Sequence, residues 1–275
     1  MRQKGNNIKI PVNDINVSYN DEGPKKAPVI IFIHGFPLNK SMWDKQSEKL
    51  KGSYRVIAYD IRGHGDTDLG AIDFSIDLFA QDLIDFMDAL KIERTMLCGL
   101  SMGGYIALNA IDKHPNRFSA LILSDTNCTA DSSEAKENRM KTIEGIKENG
   151  VKKLADGLIP KLFAPESFKT YSEGIAVVKE LIVKTPKQSL YNSLHAMANR
   201  KETCSKLPEI KIPVLIIVGK EDKITPPEAA NAMHEKIKDS SLQIIPNAGH
   251  LSNLENQEDF NNQLKKFIDT IYQQK

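Results

Sequence analysis

The sequence contains no uninterrupted apolar run of about 18 residues, the length that a bilayer-spanning helix needs. It has almost no net charge: 37 Lys and Arg against 36 Asp and Glu leave +1. That balance creates no field to attract nucleic acid or an anionic membrane, so a small molecule is the expected partner. Cysteine is scarce. Cys98, Cys128 and Cys204 are odd in number, widely spaced and without a C-x-x-C pair. This argues against a disulfide framework or a metal site, and it suits a reducing compartment. The stretch from Met1 to Tyr19 lacks the apolar core of a secretory signal. Internal repeats and low-complexity tracts are absent too, and no exposed heptad or edge strand announces an oligomer. The expectation is a cytoplasmic protein, with no nucleic-acid or membrane partner and of unspecified oligomeric state.

What is present is a chain of 275 residues with alternating strand and helix patterns. Residues 8 to 19, IKIPVNDINVSY, alternate apolar and polar about an Asn-Asp pair, as an antiparallel hairpin would. Val29 to Ile33 is apolar at every position, and Tyr54 to Tyr59, Thr95 to Cys98, Ala120 to Leu123, Val214 to Val218 and Leu242 to Ile245 are similar. Such runs are buried on both faces, which is the habit of parallel strands covered by helices. Between them Phe79, Leu83, Phe86, Met87 and Leu90, and later Phe260, Leu264, Phe267, Ile268 and Ile271, recur at helical spacing. The fold class is therefore α/β, an open and mostly parallel sheet flanked by helices. The alternation lapses once. Residues 132–211 are helical in pattern, with breaks expected at Gly150, Pro160, Pro165 and Pro186. They read as a cap inserted into a core formed by residues 1–131 and 212–275.

Ligands of open parallel sheets bind beyond the carboxyl ends of the strands. Four predicted strand ends carry suitable chemistry. Gly99-Leu100-Ser101-Met102-Gly103 matches G-x-S-x-G between a strand and a helix, the setting of a serine lifted on a sharp turn. Met102 would open that helix with a free N–H at the positive end of its dipole, suited to an oxyanion. Gly35 would let a second amide, that of Phe36, face the same point, while His34 ties down its loop. Asp222 precedes Thr225-Pro226-Pro227 and has the loop position of an acid that orients an imidazole; Glu221 beside it reads as a surface charge. His250 stands after Asn247-Ala248-Gly249, able to reach a serine and an acid. Asp125, after the strand ending at Leu123, is the runner-up acid. Cys98 reads as a packing residue. Phe163, Phe168, Tyr171, Leu194 and Met197 could line an apolar pocket, Phe163 and Met197 foremost.

HGFPLNKSMW at 34 to 43, YDIRGHGDTD at 59 to 68, GLSMGG, the D-x-x-T-P run at 222 to 226 and AGH at 248 to 250 follow one another in the order seen in α/β hydrolases. Over essentially its whole length the sequence resembles that superfamily. Within it the sequence is similar to small capped serine esterases and the 3-oxoadipate enol-lactonase-like group, notably in CGLSMGGYIAL and LIPKLFAP. The resemblance implies a Ser101, His250, Asp222 triad, an oxyanion hole from the Phe36 and Met102 amides, and bracing roles for Asp60, Arg62 and His64. It implies cleavage of a small ester or lactone through an acyl-enzyme, with no metal or organic cofactor. Trp43 is the single tryptophan, so the cap has none, a departure from the lactonase pattern near Leu162. A carbon–carbon bond hydrolase, a perhydrolase or haloperoxidase-like activity, and a hydrolase-like receptor are the competing readings.

Overall fold

The computed structural model describes residues 5–71 and 73–273. Eight strands form one sheet: β1 Gly5–Val12, β2 Ile15–Glu22, β3 Val29–Ile33, β4 Arg55–Tyr59, β5 Thr95–Leu100, β6 Phe118–Ser124, β7 Val214–Gly219 and β8 Ser240–Ile245, in the order β1-β2-β4-β3-β5-β6-β7-β8. The expected hairpin is β1 and β2, whose pairing, like that of β2 with β4, is antiparallel. All other neighbours are parallel.

The all-apolar strands have the expected cause. Ile31, Ile33, Leu97, Leu121, Leu123 and Ile216 point to one face, where they meet α2 (Ile76–Ala89), α3 (Met102–Lys113) and α8 (Pro227–His234). Their immediate neighbours Ile30, Phe32, Met96, Cys98, Ile122 and Leu215 point to the other, where Leu50 of α1 (Asp44–Leu50) and Phe260, Leu264 and Ile268 of α10 (Gln257–Gln273) cover them. Because side chains alternate along a strand, a sheet covered on both sides needs apolar residues at odd and even positions alike. Cys98 belongs to this packing: it is fully buried and unpaired, and burial raises its thiol pKa. Trp43 is buried against Phe32 and Phe260.

Between β6 and β7 lie α4 (Ser133–Leu162), α5 (Ser167–Thr170), α6 (Ser172–Lys184) and α7 (Lys187–Ala198). Ser132 caps α4 by accepting the Ala135 amide at 3.1 Å. Gly150 breaks this helix as expected, with φ 80° and ψ 172°. Pro160 does not: the helix runs through it to Leu162. Lying within the final turn, Pro160 removes one hydrogen bond near an end that was about to terminate.

The cysteine expectation is overturned. Cys128 and Cys204 form a disulfide across 76 residues of sequence, with Cα atoms 4.8 Å apart. The two crossings between core and insertion meet at Cys128 and Cys204, before the returning chain reaches the start of β7 at Val214. The Thr203 amide donates to the Cys128 carbonyl at 2.8 Å, bringing the two crossings side by side. Linear spacing carries no trace of that proximity, and the inference of a reducing compartment loses its support. Among the described residues, no helix is long and apolar enough to cross a membrane.

Candidate active site

β5 ends at Leu100 and α3 begins at Met102, so the chain reverses direction over Ser101 alone. Ser101 has φ 54° and ψ −115°, a sparsely populated conformation for a residue with a side chain. Its surroundings hold it there. The Ser101 amide donates to Ser124 O at 3.0 Å, and Ser101 O accepts from Thr126 Oγ1 at 2.8 Å and Gly104 N at 2.9 Å. The flanking glycines are needed for space. A Cβ on Gly99 would stand 2.3 Å from Gly103 O, and one on Gly103 would stand 2.4 Å from Ile33 O. The motif thus records the close approach of β5, α3 and the end of β3 around Ser101.

The turn after β3 lies against this elbow: a Cβ on Gly35 would come within 3.3 Å of Ser101 Cβ. Leu38 N donates to Gly35 O at 2.9 Å, closing a turn around the cis Phe36–Pro37 bond. The Phe36 amide sits in this turn, and the Met102 amide opens α3 where helix N–H groups have no intrahelical acceptor. His34 braces the loop as expected. Its Nδ1 donates to Gly35 O at 3.0 Å and its Nε2 accepts from Ile61 N at 2.9 Å. Burial holds its pKa well below the usual imidazole range, consistent with a neutral ring that titrates nothing near pH 7.

His250, in the connection between β8 and α9 (Ser252–Glu255), is buried, and its Nδ1 lies 2.8 Å from Asp222 Oδ2. Asp222 is anchored at both oxygens. Oδ1 accepts from Ile224 N at 2.8 Å and Thr225 N at 3.0 Å, and Oδ2 accepts from Thr225 Oγ1 at 2.7 Å. Burial opposes charge on Asp222, yet the facing imidazole and these donors keep its pKa below the ordinary value. For His250 burial again opposes charge, and Asp222, aided by Asp125 and Glu255, outweighs it, so the imidazole pKa is raised. The structure brings Asp222 and His250 into contact; among the described residues no hydrogen bond joins Ser101 Oγ to His250. Such bonds in free enzymes are often long and tighten when substrate arrives.

Asp125 takes a different place. Its Oδ1 accepts from Gly219 N at 2.9 Å, and Oδ2 lies 2.7 Å from Ser124 Oγ and 2.5 Å from Ser252 Oγ. Burial and the charge of Asp222 push its pKa up to about 7.

The loop after β4 is a scaffold of ion pairs. Asp60 binds Lys40 Nζ at 2.6 Å, Arg62 binds Asp82 with Nε and Nη2 at 2.7 and 2.8 Å, and His64 Nδ1 donates to Arg62 O at 3.1 Å. Of the apolar pocket candidates, Phe163 is buried and faces Tyr171 with ring centroids 6.3 Å apart. Met197 Sδ accepts from Arg139 Nη1 at 3.5 Å, Leu194 is buried in the core, and Phe168 lies outward, 44% exposed. Glu221 sits beside Asp222 and takes no part in the acid–base contact, its amide donating to Ala248 O at 2.9 Å. Sequence reasoning missed the partnership of Asp125 with Ser252 and the carboxylate of Glu255 against Gly249 N. Neither has a spacing signal, because both depend on which loops meet in space.

The family described as Hydrolase_4, serine aminopeptidase, S33, matches residues 24–257. A 3-oxoadipate enol-lactonase of Acinetobacter baylyi is 30% identical over 250 residues, covering 90% of this chain and 91% of that protein. Among solved structures, a thermophilic esterase from Thermogutta terrifontis superposes with TM-score 0.92 at 32% identity, covering 96% of this chain and 98% of the other. The enol-lactonase from Burkholderia xenovorans LB400 superposes with TM-score 0.89 at 26% identity, covering 95% of this chain and 100% of the other.

Proposed function

The chain belongs to the Hydrolase_4 family and is an α/β hydrolase of the esterase and enol-lactonase type, and from that premise we propose that it cleaves a small carboxylic ester or lactone through an acyl-enzyme on Ser101. The observation that carries this reading is the strained Ser101 at the head of α3, beside the Gly35–Phe36 turn.

In this reading His250 Nε2 accepts the Ser101 proton as Oγ attacks the ester carbonyl. Asp222 holds Nδ1–H, fixing the tautomer that leaves Nε2 free, and stabilises the imidazolium. The Phe36 and Met102 amides donate to the carbonyl oxygen as it becomes negative, an effect of about 3 to 4 kcal/mol per donor in serine hydrolases. The imidazolium then protonates the departing alkoxide. Water, deprotonated by His250, attacks the acyl-enzyme and frees the acid. Serine rather than a carboxylate at the elbow favours acyl transfer over alkyl displacement. The helices of residues 132–211 serve as the cap, and their apolar residues, Phe163 and Met197 included, are the candidates for shaping the substrate's space.

The test is nitrophenolate release from p-nitrophenyl acetate by the wild type and by Ser101→Ala. We expect kcat to fall on the order of 10^6-fold, the scale on which loss of a triad serine acts. Equal rates in the two proteins would remove Ser101 from the mechanism. Turnover that appears only with hydrogen peroxide as acyl acceptor would replace the hydrolase reading with the perhydrolase one.

A further inference from the structure

The mechanism leaves Glu255, a partly buried carboxylate near His250, without a role. Glu255, in the short helix α9, accepts at both oxygens, from two different parts of the chain. Oε1 takes the Gly249 amide at 2.8 Å, one residue before His250. Oε2 takes the Ala164 amide at 2.7 Å and the Ser167 hydroxyl at 2.6 Å, both in the helical insertion. A second contact runs alongside. Leu162 O, the last residue of α4, accepts from His250 N at 2.9 Å and Leu251 N at 3.3 Å. No side chain fits between the two segments: a Cβ on Gly249 would stand 2.8 Å from Ala164 N and 3.0 Å from the Phe163 carbonyl carbon. The segment 162–167 and the histidine loop are therefore packed backbone to backbone, joined by a carboxylate that accepts from both sides.

We propose that Glu255 is a positioning residue that clamps the insertion onto the loop of His250, so that seating of the cap and placement of the base occur together. The inference rests on the serine-hydrolase reading for its catalytic consequence only. Its chemistry is that of a two-sided acceptor. A glutamine keeps the shape of Glu255 but turns an NH2 group toward one of the two donor sets, so it can hold the insertion or the histidine loop, not both. Burial raises the Glu255 pKa above the ordinary value, against the pull of Ser167, Ala164, Gly249 and Leu251.

The experiment compares Glu255→Gln and Ser167→Ala with the wild type by amide hydrogen exchange and by steady-state kinetics on p-nitrophenyl acetate. Ser167→Ala touches only the insertion and keeps the test open should Glu255→Gln fail to fold. With Ser167→Ala, exchange should rise about threefold or more in both 162–168 and 248–252, and kcat should fall by a similar factor with KM unchanged. Glu255→Gln should do the same about tenfold or more. Faster exchange confined to 162–168 would show that Glu255 anchors the insertion alone and would overturn the clamp, as would wild-type exchange in both segments. Loosening of both segments with unchanged kcat would also overturn it. Should the wild type show no ester turnover, the serine-hydrolase reading fails separately, and the clamp is then decided by whether the two segments loosen together.

Discussion

Asp125 and Asp222 stand just beyond the carboxyl ends of the neighbouring strands β6 and β7, buried to 0% and 3% exposure, yet their chemistry diverges. Asp222 faces two backbone amides, a threonine hydroxyl and the His250 imidazole, and its pKa is lowered. Asp125 faces one amide and two serine hydroxyls, and its pKa is pushed up to about 7. A cation beside a buried carboxylate compensates for lost hydration, whereas rotatable hydroxyls satisfy the charged and neutral forms almost equally. Burial raises both pKa values, and the partners separate them: His250 and the surrounding donors outweigh it at Asp222, while at Asp125 the Asp222 charge adds to it.

The sharpest way to break this comparison is Asp222→Asn. An NH2 group in place of Oδ2 would meet His250 Nδ1 and force the tautomer that loses Nε2 as a base, so kcat/KM for p-nitrophenyl acetate should fall about 10^4-fold. A loss below about tenfold would move the orienting role elsewhere. The double variant Asp125→Asn with Asp222→Asn should match Asp222→Asn to within about threefold. A much lower double variant would mean that Asp125 takes over as the acid when Asp222 is lost.

A smaller effect is the pH dependence. The base must be neutral, and Asp222 outweighs burial to raise the His250 pKa. Activity should therefore increase with pH through an acid limb of kcat/KM above the ordinary imidazole value of about 6.5. Removing the Asp222 charge should move the His250 titration downward, readable by NMR of its ring protons. An upward move in Asp222→Asn would contradict the electrostatic account. The smallest effect belongs to Asp125→Asn alone. Its amide oxygen can still accept from Gly219 N while NH2 donates to the Ser124 and Ser252 oxygens, so kcat/KM should change less than about tenfold. A loss comparable with that of Asp222→Asn would erase the distinction between the two aspartates.

Much of this site was legible because its elements are local. Gly99, Ser101 and Gly103 lie within five residues, and the crowding at Gly99 is set by the turn itself, while that at Gly103 comes from the end of β3. The acid was legible through a local device too, since Asp222 receives the amides of residues two and three positions ahead. The cysteines were misread for the opposite reason. Their pairing depends on the chain that returns from the insertion running past Cys128, a fact no window of sequence contains. Glu255 was passed over likewise, as one glutamate among 36 acidic residues.

By itself the sequence determined the two-faced sheet, the helical insertion, the strand-to-helix serine and the order of serine, acid and histidine. These follow from side-chain alternation, helical spacing and backbone turn preferences, all settled within a few residues along the chain. Only the tertiary structure brought Asp222 into contact with His250, paired Cys128 with Cys204, and joined the insertion to the histidine loop through Glu255. Those are contacts between segments far apart in sequence, selected by strand order and by the requirement that buried donors and acceptors find partners.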